Sequence, residues 1–299
     1  MRIRVIVNRG GGTLIGGENE VRRKIESAMG AAGIAAEIAM TRPEAIAATF
    51  AEAARAPGLD AVVAAGGDGT ISSAAAALAG TERPLGILPL GTRNHLARDA
   101  GIPLGLEAAA RTIAAGHVRA IDVAEVNGHV FVNNSAVGLY PDMVRLRDFE
   151  ETHGGRGRRR AMLSASLKTF RSFRRRRLWI SAPGIEAPLR TPLLFVGNNR
   201  YRVNLLALGR RETLDAGELS IHAVRARSRG HLLWAGLRGL FGKLDQQRDF
   251  VTVHAPEAEI SSDRATLTIS ADGETLRLDT PLRYRIRPKA LKLIVPAER

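Results

Sequence analysis

Hydrophobic positions in the first third of the chain fall into short apolar runs separated by stretches with helical spacing. Ile3 to Val7 forms a β-branched strand that ends at Asn8 and a Gly10-Gly11-Gly12 loop. Glu18 to Gly33 reads as a helix and Ala35 to Met40 as a second strand. Pro43 opens another helix, at a position where a missing amide hydrogen costs nothing. Asp60 to Ala65 and Leu85 to Leu90 are apolar without alternation, the pattern of strands covered on both faces. Each runs into a glycine turn and then a helix, Ile71 to Ala79 and His95 to Ala100. Apolar strands alternating with helices predict an α/β fold whose amino-terminal domain is a doubly wound parallel sheet.

From about Ile121 the period changes to two. Short alternating runs follow at Val123–Val126, Val130–Asn133, Leu178–Ala182, Leu193–Val196, Leu219–Val224, Val251–Ala255, Ala258–Ser261, Ala265–Ser270 and Thr275–Leu278. Asn127-Gly128, Pro183-Gly184 and Asp272-Gly273 supply turns between them. This half predicts a carboxy-terminal antiparallel β-sandwich-like domain, interrupted by two helical stretches, Arg160–Phe173 and Arg229–Gly242. The boundaries fall at residues 1–121, 122–288 and 289–299. The last piece is a terminal strand that could return to the first domain, and no repeat of fixed period appears.

A chain of 299 residues agrees with two domains. The absence of cysteine removes disulfides, thiolate metal sites and cysteine nucleophiles together. The start, Met1-Arg2-Ile3-Arg4, alternates charge with apolar side chains, unlike a signal peptide. No window offers the roughly 20 apolar residues of a membrane span, so the protein reads as cytoplasmic. Charge is sharply divided. Residues 1–144 carry 13 basic and 14 acidic residues, net −1, whereas residues 145–299 carry 31 and 16, net +15. Within Arg156–Arg177 there are ten basic residues and no acid. That density points to an anionic partner surface, either nucleic acid or anionic lipid; the alternative is a solvated basic face without a partner.

Two loops carry candidate chemistry. Gly66-Gly67-Asp68-Gly69-Thr70 lies between a buried strand and a helix, where glycines let backbone amides approach an anion and the helix start favours phosphate. Asp68 adds a carboxylate there, which makes sense beside a metal ion or a transferable proton. Pro89-Leu90-Gly91-Thr92-Arg93-Asn94 repeats the arrangement in the next β/α unit. Adjacent strands would aim both loops at one carboxyl edge of the sheet, where open α/β sheets bind ligands.

These loops resemble the diacylglycerol kinase catalytic-domain family, relatives of sphingosine kinases and, more remotely, of NAD kinases. The resemblance rests on Gly66–Thr70 and Gly86–Arg98. Asp122, Asn133–Gly138, Leu214–Gly217 and Asp272-Gly273-Glu274 follow in family order. It implies an ATP-dependent kinase acting on a lipid hydroxyl, diacylglycerol-like by default, with Mg2+ and two domains around a cleft. Residues 1–121 would bind the nucleotide through Asn8, Gly66, Gly67, Gly69, Thr70, Gly91, Thr92 and Asn94, and residues 122–288 the lipid. Asp68 would act on the metal–phosphate network, Asp122 matches a family acid near the domain junction, and Glu274 matches a candidate general base. Asp215 matches an acidic metal site in which Ala216 stands where a second acid is common; either Glu218 compensates or the site is degraded. His95 replaces a frequent acidic residue after Asn94. Asp272-Gly273 is equally a hairpin signal, and Asp122 equally a strand-ending residue.

A lipid kinase gives the basic half a role at the inner face of an anionic membrane, as a peripheral protein, with Arg156–Arg160 and Arg171–Arg177 flanking Ala161-Met162-Leu163. Trp234, Leu237 and Phe241 form an apolar stripe at helical spacing, either core or membrane-facing. The expected partners are therefore the lipid and ATP, with no nucleic acid, and a homodimer is compatible. Two alternatives stand beside this reading: a soluble-substrate kinase resembling NAD kinases, and a nucleic-acid-binding protein using the basic half.

Overall fold

The computed structural model describes residues 1–10, 17–138, 176–183, 185–191, 193–201, 211, 213–224 and 250–297. The expected helices Arg160–Phe173 and Arg229–Gly242, the Trp234 stripe and most of the basic run, Arg156–Arg175, lie outside them. The chain divides into two compact units. One comprises Met1–Val123, Val130–Val132 and Arg287–Arg299, the other Ala124–His129 and Asn133–Ile286. Among the described residues no helix is long and apolar enough to cross a membrane.

The first unit is a parallel α/β sheet. Its strands are β1 (Ile3–Asn8), β2 (Ala36–Thr41), β3 (Ala61–Gly66) and β4 (Leu85–Pro89), in the order β2-β1-β3-β4. β3 and β4 are buried along their whole length, which explains their unbroken apolar sequence. Helices α1 (Glu18–Ala31) and α2 (Ile46–Arg55) follow β1 and β2; α3 (Asp68–Leu78) and α4 (His95–Asp99) follow β3 and β4. A further helix, α5 (Leu106–Ala115), is not among the predicted elements. Its buried side is formed by Ala109, Ala110, Thr112 and Ile113. α3 begins at Asp68, three residues before the sequence expectation, because Asp68-Gly69-Thr70 already form its first turn after the extended Gly67.

The second unit is antiparallel. One sheet runs β12 (Phe250–Ala255), β11 (Leu219–Val224), β10 (Leu193–Asn198), β7 (Asn134–Gly138), β14 (Thr266–Ala271), β15 (Glu274–Asp279). One face is apolar, with Ile221, Val196, Val137 and Ile269 nearly inaccessible. The remaining strands include β8 (Arg176–Ala182), β9 (Ile185–Thr191) and β13 (Glu257–Ser262). β13 pairs with β8 and with the start of β16 (Leu282–Ile294). The end of β16 belongs to the first unit, where Leu293 pairs in parallel with Leu85 of β4. This strand was expected only over Leu291–Val295. Its earlier Leu-Arg-Tyr-Arg-Ile alternation is genuine, but Pro281 and Pro288 read as breaks.

The expected strand Val130–Asn133 is shorter, and a strand outside the expected set follows it. β6 (His129–Phe131) stops, the chain bends at Val132 and Asn133, and β7 begins at Asn134. The cause is a side chain: Asp272 Oδ1 accepts the amide hydrogens of both Asn133 (2.8 Å) and Asn134 (3.1 Å). β5 (Val118–Val126) also starts earlier than expected.

Candidate active site

β3 and β4 are parallel neighbours, Gly66 opposite Pro89, so both glycine loops leave the same edge. The loops touch. A Cβ on Gly91 would lie 2.5 Å from Gly67 Cα, and one on Gly66 would lie 2.5 Å from Thr70 Oγ1. Neither position therefore tolerates a side chain without movement of the other loop or of the first turn of α3. Gly69 differs: a Cβ there meets open space, so its glycine is not required by packing.

Hydrogen bonds hold this edge. Asn8, at the end of β1, donates from Nδ2 to Thr70 Oγ1 (3.0 Å) and accepts the Gly10 amide at Oδ1 (2.9 Å). Asn94 adopts the left-handed conformation, φ 50°, which an asparagine tolerates. It spans its own loop, donating from Nδ2 to the Gly91 carbonyl (2.7 Å) and accepting the Gly91 amide at Oδ1 (3.1 Å). Asp68 reaches across from the first loop. Its Oδ2 accepts the Asn94 amide (3.1 Å) and its Oδ1 the His95 amide (2.6 Å). Each oxygen of Asp68 thus already carries one backbone hydrogen bond, and the carboxylate acts first as the clamp that sets the second loop. Thr92 is exposed at the rim of that loop.

Asp122 is also in the first unit, on β5, 1% exposed. Its Oδ1 accepts the amide of Lys289 (2.8 Å), a residue at φ 51°. A carboxylate so placed satisfies a backbone donor and stabilises an unfavourable backbone turn in β16, but Asp122 lies within β5 and does not end a strand as the structural alternative had it.

Glu274 opens β15 in the second unit, after the Asp272-Gly273 turn with φ 47° and 89°. The residue is solvent-exposed, yet partial burial of its carboxyl raises its pKa above the ordinary value, and the nearby Asp272 charge adds to that. Asp272 is fixed by the Asn133 and Asn134 amides. Asn133 is the centre of a buried polar knot that sequence reasoning did not find. Its carbonyl accepts the Tyr201 hydroxyl (3.1 Å) and the Asn198 amide (3.0 Å), and its Oδ1 accepts Arg211 Nη2 (3.3 Å). Adjacent asparagines, 133-134 and 198-199, are the only local trace of it.

Asp215 and Glu218 do not meet as expected of a metal pair. Asp215 is bonded to Thr213 Oγ1 (2.6 Å), while Glu218 pairs with Arg200 and stands 3.9 Å from His254 Nδ1. Among the described residues no three acidic or histidine side chains gather as cation ligands.

A parallel α/β unit with two glycine loops in contact is thus followed by an antiparallel unit that presents an acid on a hairpin. The diacylglycerol kinase catalytic domain model matches residues 2–126. The chain is 34% identical over 284 residues to the "Probable lipid kinase YegS-like" protein of Pseudomonas fluorescens, covering 93% of this chain and 91% of that one. It is 32% identical over 290 residues to the protein of the same description from Pseudomonas aeruginosa, covering 94% and 91%. It shares its fold with the crystal structure of a diacylglycerol kinase from Bacillus anthracis, with TM-score 0.71, 22% identity, and 99% and 97% of the two chains covered. The protein belongs to the diacylglycerol kinase catalytic-domain family.

Proposed function

We propose that the protein is an ATP-dependent lipid kinase, transferring the γ-phosphate to a lipid hydroxyl with a diacylglycerol-like molecule as acceptor. The observation that supports this most is the contact between Gly67 and Gly91. Two loops whose glycines pack against each other leave backbone amides, the start of α3 and the Thr92 hydroxyl to face an anion. These are the groups that hold phosphates. Asn8 and Asn94 fix the loops, and Asp68 joins them.

The described residues do not fit a resident metal site, because no three acidic or histidine side chains among them gather as cation ligands. No step therefore runs through one. Magnesium enters this reading only as the counter-ion carried by the nucleotide substrate. In the transfer, the acceptor oxygen attacks the γ-phosphorus, the bond to the bridging oxygen of ADP breaks, and Glu274 takes the hydroxyl proton. A carboxylate whose pKa is raised is a better base than an ordinary one. Asp122 contributes position, not proton transfer. The basic run Arg156–Arg177 would hold the protein to the inner face of an anionic bilayer.

The test is transfer of label from γ-labelled ATP to a panel containing diacylglycerol, a sphingoid base and NAD. Label in a lipid supports the reading; label only in NAD, or in nothing, overturns it.

A further inference from the structure

The second glycine loop carries two guanidinium groups that the proposed chemistry leaves unused. Arg93 lies between Thr92 and the left-handed Asn94, and it is exposed. Arg98, also exposed, lies in α4. Its Nε donates to the Arg93 carbonyl (2.8 Å), which brings the second guanidinium to the backbone of the first. Residues 91–98 contain these two arginines and no acid, a formal charge of +2 with His95 neutral. Asp68 is the one carboxylate of the two loops, and it accepts the Asn94 and His95 amide hydrogens. Among the described residues neither arginine takes part in an ion pair. Like charges gathered without a counter-charge set up a positive potential at the surface.

The backbone that bears Arg93 is held on both sides. Before it, the Asn94 side chain spans the amide and carbonyl of Gly91 (3.1 and 2.7 Å). After it, Asp68 takes the Asn94 and His95 amides, and Arg98 takes the Arg93 carbonyl itself. Arg93 thus projects from a fixed chain, while its own guanidinium has no hydrogen-bond partner among the described residues. A solvated arginine needs no such support. A guanidinium on a preorganised backbone loses less freedom when it meets an anion, and its planar fork matches two phosphate oxygens at once. The demand for charge points the same way. A nucleotide polyphosphate is strongly anionic, and the described residues gather no acids to hold a metal that would offset it. Backbone amides at the loops contribute only partial charges. Full charges on this loop come from its arginines.

We propose that Arg93 is a phosphate-binding residue of the nucleotide site, its guanidinium forming charge-assisted hydrogen bonds to the polyphosphate. This rests on the reading of the two glycine loops as the nucleotide-phosphate site. Arg93 strengthens the hold on the phosphates and adds nothing to recognition of the adenosine, and it takes no part in the proton transfer.

The experiment titrates ATP, adenosine and inorganic tripolyphosphate, each in the presence of Mg2+, into wild type, Arg93→Ala and Arg93→Lys by calorimetry. Arg93→Ala should weaken ATP about tenfold, the order of one charge-assisted hydrogen bond, and tripolyphosphate by a similar factor. Adenosine affinity and the melting temperature should not change. Arg93→Lys keeps the charge but not the fork, so it should recover part of the loss. ATP affinity unchanged in Arg93→Ala overturns the assignment and leaves the nucleotide reading standing. An equal loss for ATP and adenosine, or a lowered melting temperature, also overturns it, because Arg93 would then belong to the packing of its loop. Failure of the wild type to bind ATP overturns the nucleotide reading instead. Tripolyphosphate then decides Arg93 alone: weaker binding by Arg93→Ala supports the contact, and unchanged or undetectable binding ends it.

Discussion

Gly91 and Gly67 meet at the carboxyl edge of the parallel sheet so closely that a single added methyl on Gly91 would fall 2.5 Å from the Gly67 Cα. Because the obstructing atom is backbone, the loops must separate to admit it. Gly91→Ala should destabilise the protein by about 1–3 kcal/mol, the range for overpacking, and weaken ATP binding sharply. Gly30→Ala, on α1 outside both loops, meets open space; it serves as the control and should leave ATP binding unchanged without loss of stability. Thermal unfolding and ATP titration of the two variants check this; equal losses would refute the contact.

Asp68→Asn separates two roles for the same carboxylate. An amide keeps one acceptor oxygen but turns an NH2 toward either the Asn94 or the His95 amide, both of which now donate to Asp68. A lost hydrogen bond with an unsatisfied donor costs about 1–3 kcal/mol. The variant should therefore lose stability and bind ATP less well, as well as losing turnover. If turnover alone falls, with the melting temperature and ATP affinity intact, the clamp is unimportant and Asp68 acts by charge.

Glu274 predicts a pH effect whose sign is fixed. Its pKa is raised, by burial and then by Asp272, so the base becomes protonated and activity falls as pH drops through that raised value. Asp272→Asn retains Oδ1 for the Asn133 and Asn134 amides while removing the charge. The acid limb of the pH–rate profile should then move to lower pH, by only part of the shift because burial is the larger cause. A limb that stays put, or moves up, contradicts the assignment. The raised pKa also means that charged Glu274 opposes folding above it, an effect absent at acid pH. Glu274→Gln should accordingly be at least as stable as wild type at neutral pH and equal to it below about pH 4, near the unfolded carboxylate value.

The basic run yields a salt-dependent expectation. Replacing Arg174, Arg175, Arg176 and Arg177 with Ser removes charges that each contribute about 1 kcal/mol beside an anionic bilayer. Vesicle sedimentation at low salt should show weaker binding to anionic vesicles, with ATP affinity unchanged. Wild-type binding should fall as salt rises, since surface attraction is screened over about 10 Å at 0.1 M. Undiminished vesicle binding by the variant would return this stretch to a solvated face.

What the sequence disclosed follows the range of each signal. Unbroken apolar strands and glycine turns are local, so β3, β4 and both loops were legible, as was the change to period two that marks the antiparallel half. The Asp272–Asn133 link, which bends the chain between β6 and β7, joins residues 139 positions apart and leaves no local pattern. The same holds for Asp122 and Lys289. Asp68 was legible as a functional residue, but its two amide partners were not, because a carboxylate in a loop looks the same whether it faces a ligand or a backbone.

The most direct measurement of the central claim is single-turnover transfer from γ-labelled ATP to dioctanoylglycerol by wild type and Glu274→Gln, with ATP affinity determined by calorimetry on the same samples. The account predicts labelled phosphatidic acid from wild type, almost none from Glu274→Gln, and matching ATP affinities. Unimpaired transfer by Glu274→Gln, or an equal loss of ATP binding, would contradict it.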